Sequence, residues 1–213
     1  NQMISHYRVR YATKQRLSTV IVQLSSVLVM TLSQYTFSDW RLQTEYSSLS
    51  FTSVKNSAIT ESHHFPGLTG FVASSGSSEI TIDLGSIETG IPIRNQRMQK
   101  MLFDIDEYPY AIFSSNIDMS EISQLRTGQS MRLSLRGNLD LHGQTGNLTI
   151  PIQVTRSSHT VFVISTTRPI VISADQFELG AGIEALKDIA GLAHITPTVP
   201  VSFTLVFEET SQE

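Results

Sequence analysis

The stretch "MRLSLRGNLDLHGQTGNLTIPIQVTR", residues 131–156, decides the fold class. Met131, Leu133, Leu135, Leu139 and Leu141 alternate with Arg132, Ser134, Arg136 and Asp140. Such alternation puts every second side chain on one face, the pattern of a strand with one buried and one wet side. Leu148, Ile150, Ile152 and Val154 repeat it after the turn composition His142-Gly143-Gln144-Thr145-Gly146.

The same period runs outward in both directions. "SSLSFTSVK" (47–55) sets Leu49, Phe51 and Ser53 on one face, and "EITIDLGSI" (79–87) sets Ile80, Ile82 and Leu84 together. "HTVFVIS" (159–165) and "VSFTLVFEE" (201–209) complete the set. Turn signals separate the runs at 74–77, at Thr127-Gly128 and at Ser157-Ser158. The pattern predicts an all-β domain of about eight antiparallel strands, a sandwich or an up-and-down barrel, with closure removing the sheet edges.

Two segments break the rhythm. "IRNQRMQKMLF" (93–103) has Met98, Met101 and Leu102 at helical spacing with Arg94, Arg97 and Lys100 opposite. "GIEALKDIAGLA" (182–193) has Ile183, Leu186, Ile189 and Ala190 at helical spacing, ended by Gly191. Neither is long enough to be stable alone, so each must lie on something apolar. Short amphipathic helices on a barrel cap or plug its ends.

Of the 213 residues 40% are hydrophobic, enough for a core, and only 16% are charged. That leanness suits an extracytoplasmic β protein. The net charge of −4 argues against a nucleic-acid footprint. The absence of cysteine excludes disulfides, thiolate zinc sites, a Cys nucleophile and an acylated Cys. At the N-terminus, "HYRVRYATKQR" (6–16) carries Arg8, Arg10, Lys14 and Arg16 with no acid, and the apolar run "LSTVIVQLSSVLVMTL" (17–32) follows. A basic segment, an apolar segment and small polar residues at the exit are the parts of a secretory signal. Residues 1–36 are therefore expected to be a signal peptide, with a membrane anchor as the alternative, and 37–213 the folded domain. The expected location is periplasmic or secreted. The run is short for the roughly 20 residues that span a bilayer.

Catalytic signals are sparse. His63 and His64, with His142 and His194 as additions, are the candidates for a metal or acid–base site. Neighbours on a strand point to opposite faces, so His63 and His64 converge only if "ESHHFPG" (61–67) is a loop, as its composition suggests. His142 sits in a tight-turn composition. Asp104, Asp106 and Glu107 read as a solvated turn and lack the alternating ligands and central Gly of a calcium loop. No nucleophile-elbow, zincin, P-loop or dinucleotide motif occurs. No metal or cofactor is expected. The inward faces would carry Phe51, Ile82, Leu84, Phe113, Leu133, Leu135, Ile152, Val154, Phe203 and Leu205. Composition alone favours an interior filled by these side chains over a ligand cavity.

The stretch "SIETGIPIRNQRMQKMLFDIDEYPYAIF" (86–113) resembles the signature of the YceI-like family of exported lipid-binding proteins. "WRLQTEYSSLSFTSVK" (40–55) is similar to the opening strand pair of that family, and "FPGLTGFV" (65–72) to its return strand. "LRGNLDLHGQTGNLTIPIQV" (135–154) resembles its central hairpin, and "DQFELGAGIEALKDIAGL" (175–192) with "VPVSFTLVF" (199–207) its closing helix and strand. The likeness covers residues 39–208. Many members read R-D-x-H-L where this chain has Arg94-Asn95-Gln96-Arg97-Met98, and many place a His where Lys55 stands.

The resemblance implies a lipocalin-like, extended barrel whose interior holds an isoprenoid or other long-chain lipid, of quinone or polyprenyl type. It turns the balance toward a ligand cavity lined by the inward residues above. Met98, Met101 and Phe103 would lie over the mouth, where thioethers adapt to a flexible chain, and Arg94 and Arg97 would meet solvent or a polar head group. Transient membrane contact and a homodimer are compatible with it. The rival readings are an enzyme using His63, His64 or His142, and a ligand-free structural or stress-response protein.

Overall fold

The computed structural model describes residues 39–210; the segment expected to be a signal or anchor lies outside them. The strands are β1 (Trp40–Leu42), β2 (Ser48–Lys55), β3 (Ile59–His64), β4 (Leu68–Val72), β5 (Ser77–Asp83), β6 (Tyr110–Asn116), β7 (Ser130–Leu141), β8 (Gln144–Arg156), β9 (Val161–Thr166), β10 (Ile170–Ser173) and β11 (Thr198–Glu209). The helices are α1 (Pro92–Arg97), α2 (Met119–Ile122) and α3 (Gly180–Ile189). A π turn, Met98–Leu102, continues α1.

Every pairing is antiparallel. Around the ring the order is β1, β4, β5, β6, β7, β8, β9, β11, and β11 returns to β1. These eight strands close an all-β barrel, which leaves no free edge in the ring. β11 is long enough to pair twice on each side. Its second half meets β9 and β1, and its first half meets β10 and β2. β3 pairs outside β2, so the β2–β3 hairpin extends the wall beyond the ring.

The hairpin read first from the sequence forms as expected. β7 and β8 pair from Ser130–Thr155 to Leu141–Gln144. His142 and Gly143 are the two loop residues, both at positive φ, as a type I′ turn requires. The "ESHHFPG" segment is not a loop through its histidines. β3 runs to His64, in register with β2. The result separates the pair: His63 is buried and His64 exposed. The pairing that makes this segment a strand is contributed by residues 50–55, so its loop-like composition was a poor guide.

The two ends of the barrel are closed differently. At one end β5 leads into α1 and the π turn, which return to β6, and β10 leads into α3, which returns to β11. At the other lies α2, which the periodicity did not reveal. Its local signal is an N-cap: the Asp118 carboxylate accepts from the Ser120 amide at 2.9 Å. α3 ends as expected, with Gly191 in the left-handed region. Its expected apolar face is only partly buried, because Ile189 is exposed.

Candidate functional site

The barrel holds a cavity of ≈ 210 Å³. The interior is open, as the resemblance implies, and not filled, as composition alone suggests. Two inward glycines help explain the space. A Cβ on Gly137 of β7 would collide with the Phe113 ring, and one on Gly70 of β4 would lie 2.8 Å from Ile80 Cδ1. The larger side chains lie down over these glycines. A Gly inside an alternating strand is the sequence mark of such close approach.

Phe51, Ile82, Leu84, Phe103, Phe113, Leu135, Phe203 and Leu205 line this cavity. Leu133 is half-buried against the core without lining it. Ile152 and Val154 sit near the α2 end, around a separate void of ≈ 20 Å³ with Trp40 and Phe162. They share a strand face with Leu148 and Ile150, which do line the main cavity. Side-chain parity fixes the face but not the distance along the barrel. Leu49, Phe65, Leu139 and Leu141 also line the cavity. Leu49, Leu139 and Leu141 were visible in the alternation.

The lid differs from its expected form. Phe103 N–H donates to the Met98 carbonyl at 3.0 Å, the wider hydrogen bond of a π turn. The turn brings Leu102 and Phe103 to the cavity. Met98 is buried outside it, and Met101 is half-buried. The helix does not present a methionine face to the lumen. The backbone of this turn packs on α3, where a Cβ on Gly182 would be 2.7 Å from Leu102 Cα.

Ion pairs and side-chain hydrogen bonds fasten α1 to the wall. Arg94 Nη1 donates to Glu61 of β3 at 2.8 Å, and Lys55 of β2 pairs with the same carboxylate at 2.6 Å. Burial pushes the Glu61 carboxyl up, but hydrogen bonds from Lys55 and Arg94 outweigh it and hold it below the usual carboxylate range. Asn95 Oδ1 accepts from the Thr89 amide at 2.9 Å and the Thr89 hydroxyl at 2.6 Å. Arg97 is half-buried and Lys100 exposed. On the other side of the hairpin, Asn56 Oδ1 accepts from the Ala193 amide at 2.9 Å and ties down the segment after α3.

The cavity wall is apolar. Ser78 is the one polar side chain among the lining residues, and its hydroxyl donates to the Ser115 carbonyl at 3.3 Å. The histidines do not converge. His63 lies inside the hairpin against Phe51, whereas His142 packs on Tyr108, ring centroids 4.6 Å apart. Among the described residues no group of His, Asp and Glu is placed to hold a metal. Asp104, Asp106 and Glu107 lie exposed in a turn.

Residues 40–207 match the model of the YceI-like domain. The chain belongs to the YceI-like family. A solved structure of a polyisoprenoid-binding domain from Saccharophagus degradans, implicated in plant cell wall breakdown, is 35% identical. That likeness covers 80% of this chain and 98% of the other, with a TM-score of 0.79. Burkholderia cenocepacia BcnA is 22% identical over 78% of this chain and 98% of its own, TM-score 0.60, a likeness of fold. Among curated proteins no sequence matches.

Proposed function

We propose that this YceI-like protein binds a long-chain isoprenoid lipid, of quinone or polyprenyl type, inside the barrel and carries it after export to the periplasm or cell exterior. The observation that carries this reading is the cavity itself: ≈ 210 Å³, walled by apolar side chains, with its one hydroxyl already bonded. An apolar cavity of roughly 150 Å³ stays dry and accepts an apolar guest. At ~24 cal/mol per Å³, leaving this one empty forfeits about 5 kcal/mol of packing. That is comparable with the whole net stability of a domain, roughly 5–15 kcal/mol. A guest chain restores those contacts, and its own transfer from water returns ~25 cal/mol per Å². The Saccharophagus degradans domain, described as polyisoprenoid-binding, supports the same class of guest.

The reading is of a binding protein, and it needs no catalytic group. Uptake is assigned to the lid end. Exposed Ile91 and Ile93 flank the start of α1, Ile189 ends α3, and Ile59 stands at the tip of the β2–β3 hairpin. These four side chains at one end suit transient contact with a membrane surface. The test is native mass spectrometry of the protein purified without added lipid. A co-purified mass of an isoprenoid quinone or polyprenyl lipid is the expected result. A protein that carries no lipid and takes up none when offered it overturns the reading.

A further inference from the structure

Among the residues lining the cavity only Ser78 is polar, and the polar groups of the seam between β3 and α1 lie outside that lining, farther along the Phe51 face. Antiparallel pairing sets Phe51 opposite His63 and Ser53 opposite Glu61. Cross-strand partners share a face, so His63, Ser53 and Glu61 continue the face on which Phe51 lines the cavity. His63 is 2% exposed. Its Nε2 lies 2.9 Å from the Ser53 hydroxyl, and its Nδ1 is buried without a partner. Across the seam, Arg94 commits Nη1 to Glu61 and Nη2 to the Thr89 carbonyl, while its Nε is also buried and unpartnered. A buried polar group left unmade costs roughly 1–3 kcal/mol. Folded proteins rarely tolerate one without a reason.

The seam begins where the apolar wall ends. The Phe51 ring lies 5.2 Å from the His63 ring and 5.6 Å from Phe65, and Phe65 meets Phe103 edge-on at 5.9 Å. These three phenylalanines all line the cavity and form an aromatic collar beneath the polar groups. Charge also matters. Lys55 and Arg94 share the single carboxylate of Glu61, and the Glu88 carboxylate, held by the Gly90 amide, lies on the neighbouring turn. Burial, then the Arg94 charge, lowers the His63 pKa and keeps the imidazole neutral. An Arg Nε–H can only donate, and a neutral imidazole donates from Nδ1 when the Ser53 hydroxyl donates to Nε2. In that tautomer both atoms are spare donors, and two donors fit an acceptor oxygen.

We propose that His63 Nδ1 and Arg94 Nε form a head-group subsite for the acceptor oxygen, carbonyl or phosphoryl, of an amphiphile whose tail fills the barrel. The subsite rests on the lipid-carrier reading and adds to it which end of the guest is recognised, and by what. A quinone carbonyl and a lipid phosphate share the required chemistry.

The test is the affinity of the full chain for three lipids with one prenyl tail: a quinone, a monophosphate and a hydrocarbon lacking oxygen. The variants are His63→Phe, which keeps the ring beside Phe51, and Arg94→Lys, which keeps a cation for Glu61 and removes Nε. The expected result is a 10- to 100-fold loss of affinity for an oxygen-headed lipid in each variant, with hydrocarbon binding unchanged. The ratio of quinone to phosphate affinity in the unmodified protein identifies which source the subsite serves. Equal losses for all three lipids, or none, overturn the subsite. Hydrocarbon binding as tight as that of both headed lipids in the unmodified protein overturns it while leaving the carrier reading intact. Failure of the unmodified protein to bind any of the three overturns both.

Discussion

The α2 end and the lid end of the barrel are closed by different physics. At the α2 end the Trp40 ring meets Phe162 edge-on at 5.8 Å, and Ile152 and Val154 are each 1% exposed. The void left there is ≈ 20 Å³. At the lid end a one-and-a-half-turn helix and a π turn are held by Arg94–Glu61 and Thr89–Asn95 contacts, and isoleucines stand in solvent. Dispersion-packed closure opens only by giving up core burial. The lid also buries Met98, Leu102 and Phe103, but its helices are too short to be stable alone and polar contacts tie them to the wall, so opening it leaves the strand pairing intact.

The comparison breaks most sharply if the α2 end tolerates truncation. Ile152→Ala removes a fully buried side chain there and is expected to lower the unfolding free energy by ~2–5 kcal/mol, read by chemical denaturation. A loss under about 1 kcal/mol means that this end is not a packed plug. Next comes the cavity wall between the ends. Gly137→Ala drives a methyl into Phe113, and such overpacking costs ~1–3 kcal/mol. The displaced ring enters the lumen, so lipid occupancy by native mass spectrometry is expected to fall. Unchanged occupancy would mean that the glycine does not shape the cavity.

At the lid, Glu61→Gln leaves Lys55 and Arg94 without their shared anion. The group is partly solvated, so the stability change is expected to be only about 1 kcal/mol. Exchange of bound lipid is expected to accelerate, measured as transfer to acceptor vesicles, and an unchanged rate removes the latch from the account. The smallest effect is that of pH. The folded-state pKa of His63 is depressed by burial and by Arg94, so the folded protein binds fewer protons than the unfolded one. That contribution is present above the ordinary value of about 6.5 and is lost as pH falls toward the folded pKa. The melting temperature is expected to decline from pH 7.5 to pH 5, with a shallower decline in His63→Phe. Identical slopes would show that this imidazole is not the group that titrates.

The alternation was legible because it is local. A residue two positions from a buried Leu shares its face wherever the strand lies, so Phe51, Ile82, Phe113, Leu135, Phe203 and Leu205 could be placed inward without a structure. The lid was half legible. Helical spacing marked residues 93–103 as amphipathic, but the π turn that brings Phe103 to the lumen and buries Met98 elsewhere leaves no periodic signal. His63 lies on a strand made by pairing with β2, a contact that composition around "ESHHFPG" does not encode.

The order of residues thus determined the strand count of the closed ring, the inward face of most strands, the β7–β8 turn and the family, since each depends on neighbours within a few positions or on motifs in sequence. Only the tertiary structure decided which inward residues surround the cavity and which plug the α2 end, and that His63 Nδ1 and Arg94 Nε are each buried without a partner. Those depend on depth along the barrel and on which distant strand lies opposite, quantities that a period of two leaves unspecified.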